Sequence, residues 1–301
     1  MPPLAADQNS HGTTADFIDT LSSFSKLHRA QRWEGTFGEF LGNILPGHAV
    51  ALARTSHEYI WDMLRWHGRA AQPDATENVR ARELFKRELF GIDEPLSRVV
   101  DYFKAAAAGS DVGRRLLLML GPPSGGKSTL AILLKRGLEE YSRTDEGALY
   151  AIRGSPLREN PLNLIPTSLR AEFRDRYGVN ISGELSPWAR DFVERDFEGD
   201  FVRVPVERVF LNEASRIGIG TYAPHDPTTA DIADLVGSVD LAKVAQIGDE
   251  GDPRAWSWSG AVYAASRGVL EMIEILKVKR EFLYLLLTLT QEKNVKVSRF
   301  P

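Results

Sequence analysis

A chain of 301 residues with 43% hydrophobic content is long enough to bury one large core or two modest ones. Its 37 basic and 41 acidic residues leave a net charge of -4, too balanced for a nucleic-acid footprint or a solvating acidic tail. With no cysteine, disulfides, zinc–thiolate sites and cysteine nucleophiles are excluded together.

The first stretch, "MPPLAADQNSHGTTADF", has neither the basic start nor the apolar run of a signal peptide. Residues 1–20 read as a flexible terminus, with order beginning near Phe17. Over "FGEFLGNILPGHAVALARTSHEYIWDMLRWHG", apolar residues recur at three- and four-residue spacing around a break at Pro46 and Gly47, which predicts two amphipathic helices. Tyr59, Trp61 and Trp66 fall at helical spacing and are expected in a core. Residues 21–78 thus form a helical N-terminal region that ends in the linker-like "GRAAQPDATEN".

In "LFKRELFGIDEPLSRVVDYFKAAAAG", Asp93 is placed to cap a helix that buries Leu96, Val99, Val100 and Phe103 and stops at Gly109. The apolar run "LLLML" that follows predicts a strand, and Lys127 to Tyr141 a helix. "GALYAIRG" and "FVRVPVERVF" predict two further strands. Strands alternating with helices imply an α/β layer built on a parallel sheet. "LLLML" and "FLYLLL" are too short to span a bilayer, and a cytoplasmic protein is the expectation.

Between that strand and that helix stands Gly121-Pro122-Pro123-Ser124-Gly125-Gly126-Lys127-Ser128, followed by Thr129. It matches the P-loop pattern in the setting the pattern requires. Glycines let the backbone bend its N–H groups toward an anion, and the helix N-terminus points to the same place. Lys127 brings a positive charge to the β- and γ-phosphates, and the Ser128 hydroxyl is a ligand for Mg²⁺. ATP is favoured over GTP because no N-K-x-D-like tetrapeptide is present.

Hydrolysis needs an acidic residue at the end of a neighbouring strand. "GAVYAASRGVLEMIEILK", Gly260 to Lys277, supplies Glu274 at such an end, with Glu271 three residues earlier. A solvated acidic helix face is the alternative reading of both glutamates. His225, Asp226, Asp231 and Asp234 match no metal-ligand spacing and read as a turn capping a helix. Lys135 and Arg136, like Lys277, Lys279 and Arg280, read as solvated helix faces rather than nucleic-acid contacts.

The Gly260–Lys277 stretch resembles the Walker B region of AAA+ ATPases of the magnesium-chelatase and MCM type, which belong to the helix-2-insert group. The wider chain resembles the N-terminal AAA domain of PrkA-type bacterial serine protein kinases. The segments that carry this run in order from "LFGIDEPLSRVVDYFK" and "GPPSGGKSTLAILLKRGLE" through "NPLNLIP" and "RIGIGTYAPHDPTTADIADLVGSVDL" to "DPRAWSWSGAVYAASRGVLEMIEILK" and "LLLTLTQEKNVK". The resemblance implies a P-loop NTPase with a three-layer parallel sheet over residues 79–301, Mg·ATP as cofactor, and a homo-oligomer through the AAA+ core, with a monomer left open. In that light Glu274 takes the catalytic-glutamate position and Glu271 could assist it.

Two departures qualify the resemblance. Ile273 stands where the Walker B aspartate is usual, and "VKVSRFP" stops short of the sensor-1 strand, lid and arginine finger. No V-A-I-K, H-R-D or D-F-G element of protein kinases occurs. Three readings follow: an ATPase that drives or regulates protein phosphorylation, a nucleotide-gated interaction module without turnover, and an ATP-dependent DNA motor.

Overall fold

The computed structural model describes residues 10–69, 74–224 and 231–295. Helix α1 (Ser10–Gln31) comes first, so residues 10–20 are helical rather than a flexible terminus. Its Phe17, Leu21 and Phe24 recur at helical spacing, a stripe that can organise a helix although all three stay exposed.

The predicted break at Pro46 and Gly47 falls between short helical turns, with Gly47 at φ 78°. Helix α2 (Ser56–Arg69) follows, with Tyr59 and Trp61 in the core as the spacing predicts. Helix α3 (Asp93–Ala107) buries Leu96, Val99, Val100 and Phe103 on one face. Asp93 is its first residue rather than its cap, favourably placed at the positive end of the helix dipole. Helix α4 (Lys127–Ser142) packs Leu130, Leu133, Leu134, Leu138 and Tyr141 against α2 and α3 in one core.

A second core lies around a three-stranded antiparallel sheet of β1 (Glu34–Thr36), β2 (Leu149–Ile152) and β3 (Pro205–Val209) in the order β1-β3-β2. Helix α5 (Pro187–Phe197) joins it through Ala189 and Val193, capped by the Ser186 hydroxyl on the Ala189 amide at 3.1 Å. β4 (Ile219–Tyr222) and β7 (Val269–Met272) form a parallel pair, and β5 (Ser238–Val239) and β6 (Trp256–Ser257) a short antiparallel one. Tyr222 of β4 stacks near Phe282 of helix α6 (Arg280–Glu292), which closes a third small core.

The single three-layer parallel sheet expected from the sequence is therefore replaced, among the described residues, by three small sheets. The reason is local to Leu116–Leu120. Leu117 and Met119 pack inward while Leu116, Leu118 and Leu120 face out, the period-two alternation of a strand. The run nevertheless enters no ladder, and without a partner an extended segment is not a strand.

Two glycines show how tightly the β4–β7 unit is assembled. A Cβ on Gly220 would lie 2.2 Å from the Ala261 carbonyl oxygen, and one on Gly268 1.9 Å from that of Gly218. Only glycine permits these approaches.

Candidate nucleotide-binding site

Leu120 leads into an open loop in which Gly121 to Gly125 are exposed. The Gly125 amide donates to the Pro122 carbonyl at 3.2 Å, and Ser124 and Gly126 adopt left-handed backbone at φ 61° and 81°. These turns aim the chain into α4, whose first intrahelical bond runs from the Leu130 amide to Gly126 at 2.9 Å. The amides of Lys127, Ser128 and Thr129 precede that bond, and no side chain caps them. A sixteen-residue helix thus presents uncapped donors and the positive end of its dipole to one exposed spot. The Lys127 ammonium donates back across the loop to the carbonyls of Gly121 at 2.9 Å and Pro122 at 2.6 Å. It sits where an anion held by the loop would draw it off those carbonyls.

The donor set fits a polyphosphate. Gly125 and Gly126 carry no side chain to block the approach, and the exposed Ser128 hydroxyl lies in the first turn where a phosphate-bound Mg²⁺ could take it as ligand. Among the described residues no cluster of three histidines or carboxylates could hold the metal by itself. Any Mg²⁺ here would come with the phosphates.

Glu271 lies within β7, in a strand rather than on a helix face, and Ile273 and Glu274 lie just beyond it. The Ile273 amide donates to the Tyr222 carbonyl at 2.9 Å, and its side chain is 42% exposed. Glu274 breaks the strand with φ 54° and pairs with Lys277 at 2.8 Å, both side chains about half exposed. Gly121, Lys127 and Ser128 share a cleft of about 2350 Å³ with Glu271, Ile273 and Glu274. Pro122, Pro123, Ser124, Gly125, Gly126 and Thr129 lie outside its lining.

The cleft also contains a cluster that sequence reading assigned to solvent. Lys135 is 6% exposed, because α4 turns it to the same side as Lys127, Ala131 and Leu134. Its ammonium donates to Glu213 at 2.6 Å and to the Thr221 hydroxyl at 2.8 Å, and it forms an ion pair with Glu271. The Thr221 hydroxyl donates in turn to Glu213 at 2.9 Å. Burial pulls the Lys135 pKa down, but hydrogen bonds and charge from Glu213 and Glu271 outweigh it and leave it raised. The Glu213 carboxyl is held below its usual range, chiefly by the hydrogen bond from Lys135. The signal for this cluster was a lysine at an apolar position of the 127, 131, 134 stripe. Arg136, one residue on, does face solvent and pairs with Glu88 at 3.2 Å.

Lys135 is eight residues from Lys127, about 12 Å along the helix axis. The cluster thus fastens the middle of α4 to β4 and β7, while Glu274 lies nearer the open end of β7. His225 and Asp226 lie outside the described residues, and Asp231 does cap a turn, its carboxylate accepting from the Ala233 amide at 2.9 Å. No helix among the described residues is long and apolar enough to cross a membrane.

Comparison with known proteins adds an independent line. The PrkA AAA domain model matches residues 57–300. The chain is 43% identical over 286 residues to the ATP-dependent protease PrkA of Bacillus subtilis, covering 95% of this chain and 44% of that protein. It is 31% identical over 227 residues to the serine/threonine kinase YeaG of Escherichia coli K12, covering 73% of this chain and 34% of that protein. A weaker match, 28% over 135 residues, is to the Lon protease of Desulfosudis oleivorans, covering 42% of this chain and 16% of that protein. The chain spans less than half the length of the PrkA and YeaG proteins it matches. No solved structure matches it.

Proposed function

Because the chain belongs to the PrkA AAA domain family, we propose that it binds Mg·ATP at Gly121–Thr129 and hydrolyses it, and that this turnover drives or regulates phosphorylation of a protein. The observation that carries the reading is the uncapped start of α4 behind left-handed Gly126, opening on a cleft that also receives Glu274.

In this reading the uncapped amides of Lys127, Ser128 and Thr129, the bend made by Gly121–Gly126 and the Lys127 ammonium hold the β- and γ-phosphates, and the Ser128 hydroxyl orients the metal. Bound Mg²⁺ would neutralise charge developing on the transferred phosphoryl group. Glu274 orients the attacking water and accepts its proton, which requires the carboxylate to leave Lys277. The relatives' names point in two directions, one to a protease and one to a kinase. Both need ATP, and we place the nucleotide chemistry here in a cytoplasmic setting.

The test is calorimetric titration of the chain with Mg·ATP, followed by phosphate release on the same sample. Lys127→Ala should weaken binding about thirtyfold, the loss of a charged hydrogen-bond donor worth about 2 kcal/mol. Glu274→Gln should bind normally and release phosphate about a hundredfold more slowly. Unchanged affinity in Lys127→Ala sinks the site assignment.

A second reading is favoured by Ile273 and by the Glu274–Lys277 pair, which leave the strand end without a free carboxylate. The chain is then a nucleotide-gated interaction module, and binding without phosphate release in any sample would select it. An ATP-dependent DNA motor is the third reading, and lack of salt-dependent DNA binding would dispose of it.

A further inference from the structure

A second, smaller recess lies where the β2–β3 sheet meets the entry to β4 and β7. Three arginines line it, Arg158, Arg216 and Arg267, beside Leu149, Val209 and Leu211. Its wall contains no carboxylate, and none of Gly121–Thr129 reaches it.

All three arginines hold left-handed backbone, at φ 49°, 54° and 67°. That conformation is costly for a side chain of this size and persists only where its surroundings enforce it. At Arg267 the enforcement is visible. The Ser266 amide donates to Tyr263 and the Gly268 amide to Ala265, at 3.1 and 3.0 Å, and the Val269 amide locks to Gly218 at 2.9 Å. With Gly268 already pressed on the Gly218 carbonyl, the turn has no room to relax.

Among the described residues no carboxylate forms an ion pair with these charges. Arg267 donates to the Tyr150 carbonyl, and Arg216 to the Ser259 carbonyl at 2.6 Å. Arg158 has no side-chain partner among the described residues. The contrast is with Arg54 and Arg208 nearby, which find Asp62 at 2.9 Å and Asp145 at 3.4 Å. Burial brings Arg267 down to about 10, with only Tyr59 and Arg54 as charged or ionisable neighbours. Guanidinium groups carry five donors each, so most donors here are unused. Charge taken out of water is ordinarily paired, and three arginines lining one recess with no carboxylate in its wall among the described residues leave a place for an anion.

We infer that this recess is an anion site that takes a phosphate group, with the half-buried Arg267 and Arg158 as its inner pair and Arg216 on its exposed side. A tetrahedral oxyanion with about two negative charges answers several forked donors better than one carboxylate does. The recess measures about 290 Å³ counted to its open mouth, while its closed depth is only about 10 Å³, so the phosphate sits at the mouth. Arg267 also lines the large cleft, but none of Gly121–Thr129 and Glu274 lines the recess, so Lys127→Ala and Arg267→Met separate this inference from the ATP reading. Free inorganic phosphate and the phosphoryl group of a small phosphoester have the same chemistry, and the test separates them.

The experiment is titration of the Lys127→Ala chain, in which anion binding at the P-loop is weakened, with inorganic phosphate and separately with O-phosphoserine. Ionic strength is held constant, with chloride as control, and binding is read by calorimetry and thermal shift. Phosphate should bind and raise the melting temperature, and Arg267→Met in that background should weaken binding about tenfold. Without phosphate, Arg267→Met should melt higher than its parent, because an unneutralised charge has been removed, whereas an arginine needed only for structure would leave the variant less stable. Tighter binding of phosphoserine identifies a phosphoester site, and tighter inorganic phosphate a free-phosphate site. No phosphate binding, or equal binding with and without Arg267, overturns the inference. Should Arg267→Met not fold, Arg158→Gln and Arg216→Gln give the same reading, and unchanged binding in both overturns it.

Discussion

Lys135→Met removes one cation from between two carboxylates while keeping the helix and most of the stem volume. Breaking a buried ion pair by deleting one partner costs about 3–5 kcal/mol. Here the discount is unequal, because the Glu271 side chain is 19% exposed and that of Glu213 44%. Solvent rescues much of Glu213 and little of Glu271, so the cost should fall to about 2–3 kcal/mol. At roughly 2–4 °C per kcal/mol for a chain of this order of size, melting should drop by about 4–12 °C. Glu213 adds a pH signature. Its folded pKa lies below its unfolded value, so its contribution is complete above about pH 4.5 and is lost as pH falls through the folded value. Lys135→Met should flatten that acid limb, and adding Glu271→Gln should recover part of the neutral-pH loss by removing the orphaned charge. The assay is thermal unfolding by circular dichroism from pH 3 to 8 for wild type, single and double variants. Equal melting of Lys135→Met and wild type at pH 7, or a double variant less stable than the single, would refute the reasoning.

Gly220→Ala should lower stability by about 1–3 kcal/mol in urea unfolding, since its methyl group would meet the Ala261 carbonyl at 2.2 Å and push β4 from its neighbour. Arg54→Met should cost about 2–3 kcal/mol by the same measurement, because it leaves the partly exposed Asp62 with Arg65 alone at 3.7 Å and removes the donors to the Tyr141 hydroxyl and the Ala51 and Glu146 carbonyls. Glu159→Gln should behave oppositely. Burial raises the Glu159 pKa despite bonds from Ser186 and Ser155, so the native state loses stability as pH rises above about 4.5 toward the folded value. The variant should abolish that decline in thermal melts and be at least as stable at pH 7.

What the sequence disclosed, it disclosed through short-range spacing. The P-loop is eight consecutive residues, and its strand–turn–helix setting is written in the runs on either side. Tyr59 and Trp66, seven residues apart, share one face of α2, whereas Trp61, two residues on from Tyr59, is buried because neighbours cover the helix on more than one side. Lys135 was misread because its partners are 78 and 136 residues away, and a lysine's local pattern does not say which carboxylates will meet it. The same limit explains the sheet. Leu116–Leu120 carries the alternation of a strand, but pairing is a property of two segments. The recess of Arg158, Arg216 and Arg267 left no trace in spacing, because it joins three turns distant in sequence.

The outward leucines of the 116–120 run bear on handling as much as on fold. Leu116, Leu118 and Leu120 are 49%, 51% and 70% exposed, along a backbone whose donors and acceptors no strand among the described residues uses. Such an edge is a template, since main-chain groups bond to any extended polypeptide whatever its side chains. Protein concentration thereby becomes a thermodynamic variable. Were copies of the chain to pair through this edge, the Gly121–Ser128 loop that begins at the end of the run would be the first part of the molecule to register it.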